Sequence, residues 1–176
     1  MPKSSKKELI ANVKANYEQI ILLKSRYAKL VPRNYTVSIE FEPENRIFNI
    51  KESIDLKITA IKNKETTVTQ DWQLEPDGEK LNKMLKIVSW NKETLKTIKR
   101  LLIEAHCISI ENGKNTEIGF ARSGLGMYSY LLLDQPLGER QKQVYNDSCR
   151  YIPYNNSVVL EYEGGAAGPQ CFPDRD

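Results

Sequence analysis

The sequence predicts a single α+β domain, in which a long N-terminal helix and a central helix pack on a mainly antiparallel sheet. Apolar residues recur at helical spacing over residues 92–105, and from Cys107 onward the spacing shortens to two residues. The same two-residue period occurs at residues 35–41, where apolar and polar side chains alternate as in half-buried antiparallel strands. A chain of 176 residues is most simply one domain, large enough to bury a sizeable core.

The central helix is predicted at about residues 92–105 from its start signal as well as its apolar stripe. Asn91 is a candidate N-cap, because its side-chain oxygen can accept from an amide of the first turn that has no partner within the helix. Trp90 and Leu95 have the spacing of a hydrophobic staple across that cap.

A three-stranded meander is predicted to follow the central helix. Its first two strands, residues 107–110 and 118–120, flank Asn112-Gly113, a dipeptide that suits a tight hairpin turn. The third, Met127–Leu133, is the most continuously apolar strand of the chain. Such a run predicts a central strand that is covered on both faces.

Residues 1–33 are predicted to form one long, basic, amphipathic helix. Ser5 and Glu8 have the spacing of a capping box, and Pro32 ends the helix because the residue before proline avoids the α conformation. Asn16 lies within the apolar stripe, and a polar residue there can fix the register of a coiled coil. Two fates are therefore open for this helix, a homodimer interface or packing on the sheet of its own chain.

The strand-rich core is predicted to span residues 34–163, and a glycine-rich tail without periodicity follows at 164–176. Further strands are predicted at 47–50, 54–60, 66–74 and 157–162, a short helix at about 79–87, and a helical turn or loop at 138–145.

Composition predicts a cytoplasmic protein that does not cross a membrane. Charged residues make up 28% and hydrophobic residues 40% of the chain, and no apolar run approaches the length of a membrane span. The basic N-terminus is not followed by the apolar core and cleavage site of a signal peptide. Cys107, Cys149 and Cys171 are an odd number without short-range pairing, which predicts reduced thiols.

The chemistry of the side chains gives little support for catalysis, a metal or a cofactor. A single histidine, His106, and no closely spaced cysteine pair predict no metal site. The glycine-rich stretches lack the Lys and Ser/Thr, and the helix, that a phosphate loop needs. One enzymatic alternative stays open, a pocket in which His106 serves Cys107 or Cys149.

The leading hypothesis is a non-enzymatic interaction module that binds a partner protein. Tyrosines and arginines gather in the C-terminal half near glycine turns, a composition typical of recognition surfaces. Tyr128 and Tyr130 share one face of their strand and could form a stacking platform. The candidate binding residues are Arg122, Gly124, Gly126, Tyr128, Tyr130, Gly164 and Gly165.

An alternative hypothesis is a nucleic-acid-binding accessory protein. Residues 1–33 carry eight basic side chains against two acidic ones, whereas the net charge of the whole chain is only +3. Such an asymmetry indicates an anionic partner for the N-terminal helix, with Lys3, Lys6, Lys7 and Lys14 as phosphate contacts.

Overall fold

The fold is one α+β domain built on a single antiparallel sheet whose strands differ in length. The computed structural model describes residues 5–44, 51–63, 65–147, 149–164, 168, 171 and 172. Within them the helices are α1 Lys6–Ala15, α2 Tyr17–Leu30, α3 Glu79–Ile87, α4 Lys92–Glu104 and α5 Glu139–Val144. The strands are β1 Tyr35–Glu42, β2 Ser53–Lys62, β3 Glu65–Leu74, β4 Ser109–Glu111, β5 Thr116–Ser123, β6 Gly126–Leu132, β7 Tyr151–Pro153 and β8 Val158–Glu163.

The eight strands are ordered β3-β2-β1-β4-β5-β6-β8-β7, and each neighbouring pair is antiparallel. The predicted fold class is confirmed. The predicted strands at 35–41, 54–60, 66–74 and 157–162 are all present, whereas the predicted strand at 47–50 lies outside the described residues.

Helices α1 to α4 pack on one face of the sheet. Their apolar stripes share one core cluster with the inward-facing side chains of the strands, such as Val37, Ile58 and Leu160. On the other face, a smaller cluster forms at the β6–β8 end, where Val159 packs with Leu133. Most of that second face is therefore left to polar side chains.

The central helix begins as predicted. The Asn91 side chain accepts from the Thr94 amide at 2.9 Å, and α4 runs to Glu104. Trp90 is buried beside the cap, and its indole Nε1–H donates to the Leu30 carbonyl at 2.8 Å. This bond ties the start of α4 to the end of α2.

The prediction of one uninterrupted N-terminal helix is wrong. Ser5 caps the first turn by accepting from the Glu8 amide, but at Asn16 the backbone has φ −122° and ψ 25°, and α1 ends there. Asparagine favours helix ends over helix interiors, because its side chain competes for nearby polar groups. The Asn16 amide group donates to Asn12 Oδ1 at 2.7 Å instead of extending the apolar stripe.

The break lets both short helices bury their stripes in the chain's own core. Leu9, Val13, Ile20 and Leu23 are completely buried. Packing on its own sheet is therefore the fate of this segment, and the predicted homodimer face is already occupied.

Asn12 of α1 is a buried polar residue between the helices and the sheet. Its amide donates to the Ala105 carbonyl at 3.2 Å and to the Tyr130 hydroxyl at 3.1 Å, and the Tyr130 hydroxyl in turn donates to the Leu9 carbonyl at 2.8 Å. Buried polar groups need such partners, so this network fixes how α1 sits over β6 and the end of α4.

Strand β6 is an interior strand, as predicted, with β5 on one side and β8 on the other. Tyr128, Tyr130 and Leu132 face the helices, whereas Ser129 on the opposite face is also fully buried. The predicted cover on both faces is thus confirmed at the middle of the strand.

Candidate binding face

The predicted tyrosine platform is not a surface. Tyr128 and Tyr130 are 1% and 0% exposed, on the face of β6 that the helices cover. Tyr128 stacks on Tyr162 with ring centroids 4.6 Å apart, and Phe172 closes the same aromatic group at 5.8 Å from Tyr128. The prediction that the two tyrosines bind a partner directly is wrong, because alternation along a strand shows which residues share a face but not which face is covered.

The other candidate binding residues surround the turn between β5 and β6. Gly124 has φ +62°, which an L side chain rarely adopts. A Cβ on Gly126 would lie 2.5 Å from the main-chain oxygen of Glu163, so the close strand approach requires glycine. Gly164 is buried, and Gly165 lies outside the described residues. Gly124 and Gly126 thus have structural roles.

The Cys–His pocket is contradicted by the state of the thiols. Cys149 and Cys171 form a disulfide, so the prediction that all three cysteines are reduced is wrong for this pair. Cys107 is buried, and burial raises the pKa of its thiol to about 12, which leaves it protonated at neutral pH. His106 stands exposed with φ +53° directly after α4.

The basic N-terminal residues are only partly free to meet a partner. Lys7 and Lys14 are exposed on α1, whereas Lys6 is half-buried and Lys3 lies outside the described residues. Lys24 of α2 is held by Asp134 at 2.7 Å and by main-chain carbonyls of the β6 end.

The site that the sequence analysis missed is the polar face of the sheet, on the side away from α1 to α4. The strands alternate, and most of the charged positions of β1, β2, β4, β5 and β8 point to this side. Its acidic residues are Glu40 and Glu42 of β1, Asp55 of β2, Glu111 of β4, Glu117 of β5, and Glu161 and Glu163 of β8. Its basic residues are Lys57, Arg122 and Arg150. We call this surface the acidic face.

A groove crosses the acidic face. It consists of one cavity of about 210 Å³ and a second of about 240 Å³ toward the β3 edge. The two cavities share Ser38, Glu40, Glu111 and Arg122 as lining residues. Glu117, Glu163 and Met127 line the first cavity, and Asp55, Asp71 and Trp72 line the second. The lining residues extend from Glu163 of β8 to Gln70 of β3, so the groove runs across several strands of the sheet.

Two arginines neutralise part of the acidic face. Arg122 Nε donates to Glu40 Oε1 at 2.7 Å and its terminal nitrogen to Glu40 Oε2, a two-bonded pair on a carboxylate that is nearly buried. Arg150 Nη2 donates to Glu161 Oε1 at 2.6 Å and also to Glu163. A guanidinium that makes two or more hydrogen bonds to carboxylates is held more strongly than one that makes a single bond.

Glu111 and Glu117, two of the carboxylates that line the groove, form no salt bridge with a basic residue in the described part of the chain. Burial, and then the negative charges of Glu161, Glu163 and Glu111, together raise the pKa of Glu117 to about 7. At neutral pH about half of the Glu117 carboxyls therefore keep their proton, because ionisation would add another charge to an already negative region.

Gly119 of β5 pairs with Ser109 of β4, and Ser109 lines the first cavity of the groove. A Cβ on Gly119 would lie 2.1 Å from Ser109 Oγ, so the missing side chain leaves the space that the Ser109 hydroxyl occupies. The fully buried Ser129 hydroxyl stands opposite Gly119. It is close enough to lower the pKa of Glu117 slightly, yet it makes no hydrogen bond of ordinary geometry.

The acidic face has a pattern that is visible in the sequence. Glu40 and Glu42, Glu111 and Glu117, and Glu161 and Glu163 occupy polar positions of alternating strands. Their charge is concentrated only because β1 pairs with β4 and β6 pairs with β8, and pairing between such distant segments cannot be seen in local pattern.

Comparisons with known proteins add nothing to this description. No family model, curated protein or solved structure matches the chain. Among the described residues no group of three His, Cys, Asp or Glu side chains could hold a metal ion, and no helix is long and apolar enough to cross a membrane.

Proposed function

We propose that this protein is a non-enzymatic binding module, and that its acidic face accepts a positively charged, extended segment of a partner protein. The observation that carries the proposal is the pair Glu111 and Glu117, two carboxylates that form no salt bridge within the described chain, in a groove where arginines neutralise their neighbours. An approaching lysine or arginine side chain would supply the missing positive charge.

The raised pKa of Glu117 supports a cationic ligand in particular. The free groove holds Glu117 half-protonated near neutral pH, since its neighbours are negative. A bound cation would favour the ionised carboxylate and release the proton. Affinity should therefore rise with pH through about 7, because the ligand no longer has to displace a proton.

The groove supports binding more than catalysis. The one free thiol of the described chain is buried and protonated, and the groove contains carboxylates and arginines in salt bridges but no histidine or cysteine. A positively charged peptide needs only charge complementarity and an extended surface, which this groove offers along two adjoining cavities.

The experiment measures binding of a fluorescent oligolysine peptide by anisotropy at low ionic strength. We expect binding that weakens with salt and an affinity about tenfold lower for the double variant Glu111→Gln and Glu117→Gln, since about 1.4 kcal/mol corresponds to a factor of ten. Glu104→Gln on the exposed side of α4 is the matched control and should leave the affinity unchanged.

Equal affinity of the double variant and the wild-type protein would contradict the proposal, as would absence of oligolysine binding at low salt. Binding of single-stranded DNA in place of the peptide, lost on Lys7→Glu and Lys14→Glu, would instead support the nucleic-acid-binding alternative. A glutamate peptide of the same length checks that the acidic face discriminates by charge.

The disulfide bears on the compartment in which this binding would take place. A cytoplasmic location was predicted partly from reduced cysteines, and disulfides are rare in the cytosol of most cells. The Cys149–Cys171 bond therefore favours an oxidising compartment. Alkylation of the protein in lysates of its native cells, followed by mass spectrometry of the Cys171 peptide, would decide between the two.

A further inference from the structure

The two edges of the sheet are protected very differently. The edge strand β7 has three residues and ends in Pro153, which has no amide hydrogen to offer another strand. The opposite edge strand, β3, runs for ten residues from Glu65 to Leu74 and contains no proline, glycine, lysine or arginine. Edge strands normally carry such residues because an open row of main-chain groups recruits other strands.

Apolar side chains are exposed along this edge, which pairs regularly with β2 as far as Asp71 and has a bulge between Asp71 and Leu74. Ile61 of β2 is 52% exposed, Val68 of β3 is 54% exposed, and Trp72 is 61% exposed. Ile61 pairs with Thr66, and Val68 lies two residues farther along β3, so Ile61 and Val68 are diagonal neighbours on one face. They form a small apolar patch at the rim of the sheet.

The middle of β3 is complementary to itself in antiparallel pairing. Residues Thr66–Gln70 are uncharged, and three of them are threonine. Pairing centred on Val68 places this residue opposite the partner's Val68, and Thr67 opposite the partner's Thr69. Cross-strand pairs of β-branched residues and of threonines both stabilise a sheet.

We propose that β3 pairs antiparallel with β3 of a second copy of this chain, which joins the two sheets across a twofold axis through Val68. The open main-chain groups of both edges are then hydrogen-bonded, and Ile61 and Val68 of each copy gather into one apolar cluster. Charge interferes only at the ends, where Glu65 meets the partner's Asp71, whose carboxylate is already paired with Lys80 in its own chain.

The dimer would place the two grooves side by side. A twofold axis perpendicular to the sheet keeps corresponding faces on the same side, so both acidic faces would point in one direction. Formation of the dimer depends on the edge strand β3 and not on the charge of the groove. The dimer therefore goes beyond the proposed function. It also replaces the dimer interface that the sequence predicted on the N-terminal helices.

The first test is sedimentation velocity of the full chain over a range of micromolar concentrations. We expect dimers in the wild-type protein and monomers for Val68→Lys, because this substitution would place two positive charges directly opposite each other. Val68 is more than half exposed, so the variant should keep its circular dichroism spectrum and melting temperature. Val144→Lys, at an equally exposed position on α5, should remain dimeric.

The second test is chemical and fixes the register. Val68→Cys should give a disulfide-linked dimer on mild oxidation, because residues directly opposite in an antiparallel pair bring their Cβ atoms to about 5 Å. Thr66→Cys on the same strand should not, since it faces the partner's Gln70. A wild-type protein that stays monomeric, a dimer that survives Val68→Lys, or equal cross-linking of both cysteine variants would each overturn the proposal.

Discussion

Replacing Glu117 with glutamine should stabilise the protein, and by an amount that grows with pH. The pKa of this carboxyl rises from its ordinary value of 4.5 to about 7 in the folded protein, chiefly because burial disfavours the ionised form and then because Glu161, Glu163 and Glu111 lie nearby. Below about pH 4.5 the carboxyl is protonated in both the folded and the unfolded chain, so it imposes no penalty. Between about pH 4.5 and 7 the unfolded chain ionises this carboxyl while the folded protein keeps it protonated, so the penalty grows with pH and is complete once the folded protein also ionises it above about pH 7.

The magnitude follows from the size of that pKa change. At about 1.4 kcal/mol per pKa unit, the full penalty is roughly 3 kcal/mol, of which about 2.5 kcal/mol develops between about pH 5 and pH 8.5. Glutamine has nearly the same shape and no charge to desolvate. Glu117→Gln should therefore gain about 2.5 kcal/mol in unfolding free energy over wild type as the pH is raised across this range.

The assay is urea denaturation of wild type and Glu117→Gln at several pH values, with unfolding free energies from linear extrapolation. Glu104→Gln, an exposed carboxyl on the other side of the sheet, is the control and should follow the wild-type profile. A stability difference between wild type and Glu117→Gln that does not change with pH would refute the reasoning, since every other carboxylate is common to the two proteins.

The remaining predictions concern the core and the chain ends, and each is checked by denaturation. Asn12→Ala should lower the free energy of unfolding by about 2–3 kcal/mol, because it removes a buried hydrogen-bond network and takes one partner from the Tyr130 hydroxyl. An Asn12→Leu variant as stable as the wild-type protein would show that the network is dispensable. Reduction of Cys149–Cys171, separated by 22 residues, should lower stability by about 3 kcal/mol, and an unchanged midpoint would contradict this. Gly126→Ala should destabilise the β5–β6 turn, because the new Cβ meets a main-chain oxygen that cannot rotate away; wild-type stability would show that the strands can separate.

Sequence pattern predicted the elements whose signals are local. The Asn91 cap, the stripe of α4 and the alternation in β1 depend on residues within one turn or one strand, and all three are confirmed. The same pattern failed at Asn16, because a stripe of correct spacing continued across a residue that prefers a helix end. Apolar periodicity reports only the spacing of residues. It does not take account of the hydrogen bond that the Asn16 side chain makes to Asn12.

The candidate site could be predicted only in part. Arg122, a predicted binding residue, lines a polar cavity, whereas Tyr128 was assigned to a surface although Tyr162 and Phe172, both distant in the chain, pack against it. Likewise, nothing local to Cys149 indicates that Cys171 is its partner. Contacts between segments so distant in sequence are formed by packing, not by propensity.

The sequence by itself determined the class of this protein, the approximate spans of α3, α4 and the longer strands, and the alternation of polar residues along the strands that form the acidic face. The tertiary structure decided which face of the sheet the helices cover and which strands are neighbours. It therefore also decided that Glu111 and Glu117 share one groove. The physical reason is that helix and strand periods arise from backbone geometry within a few residues, whereas the pKa of Glu117 arises from charges on β4 and β8 that only the folded sheet brings together.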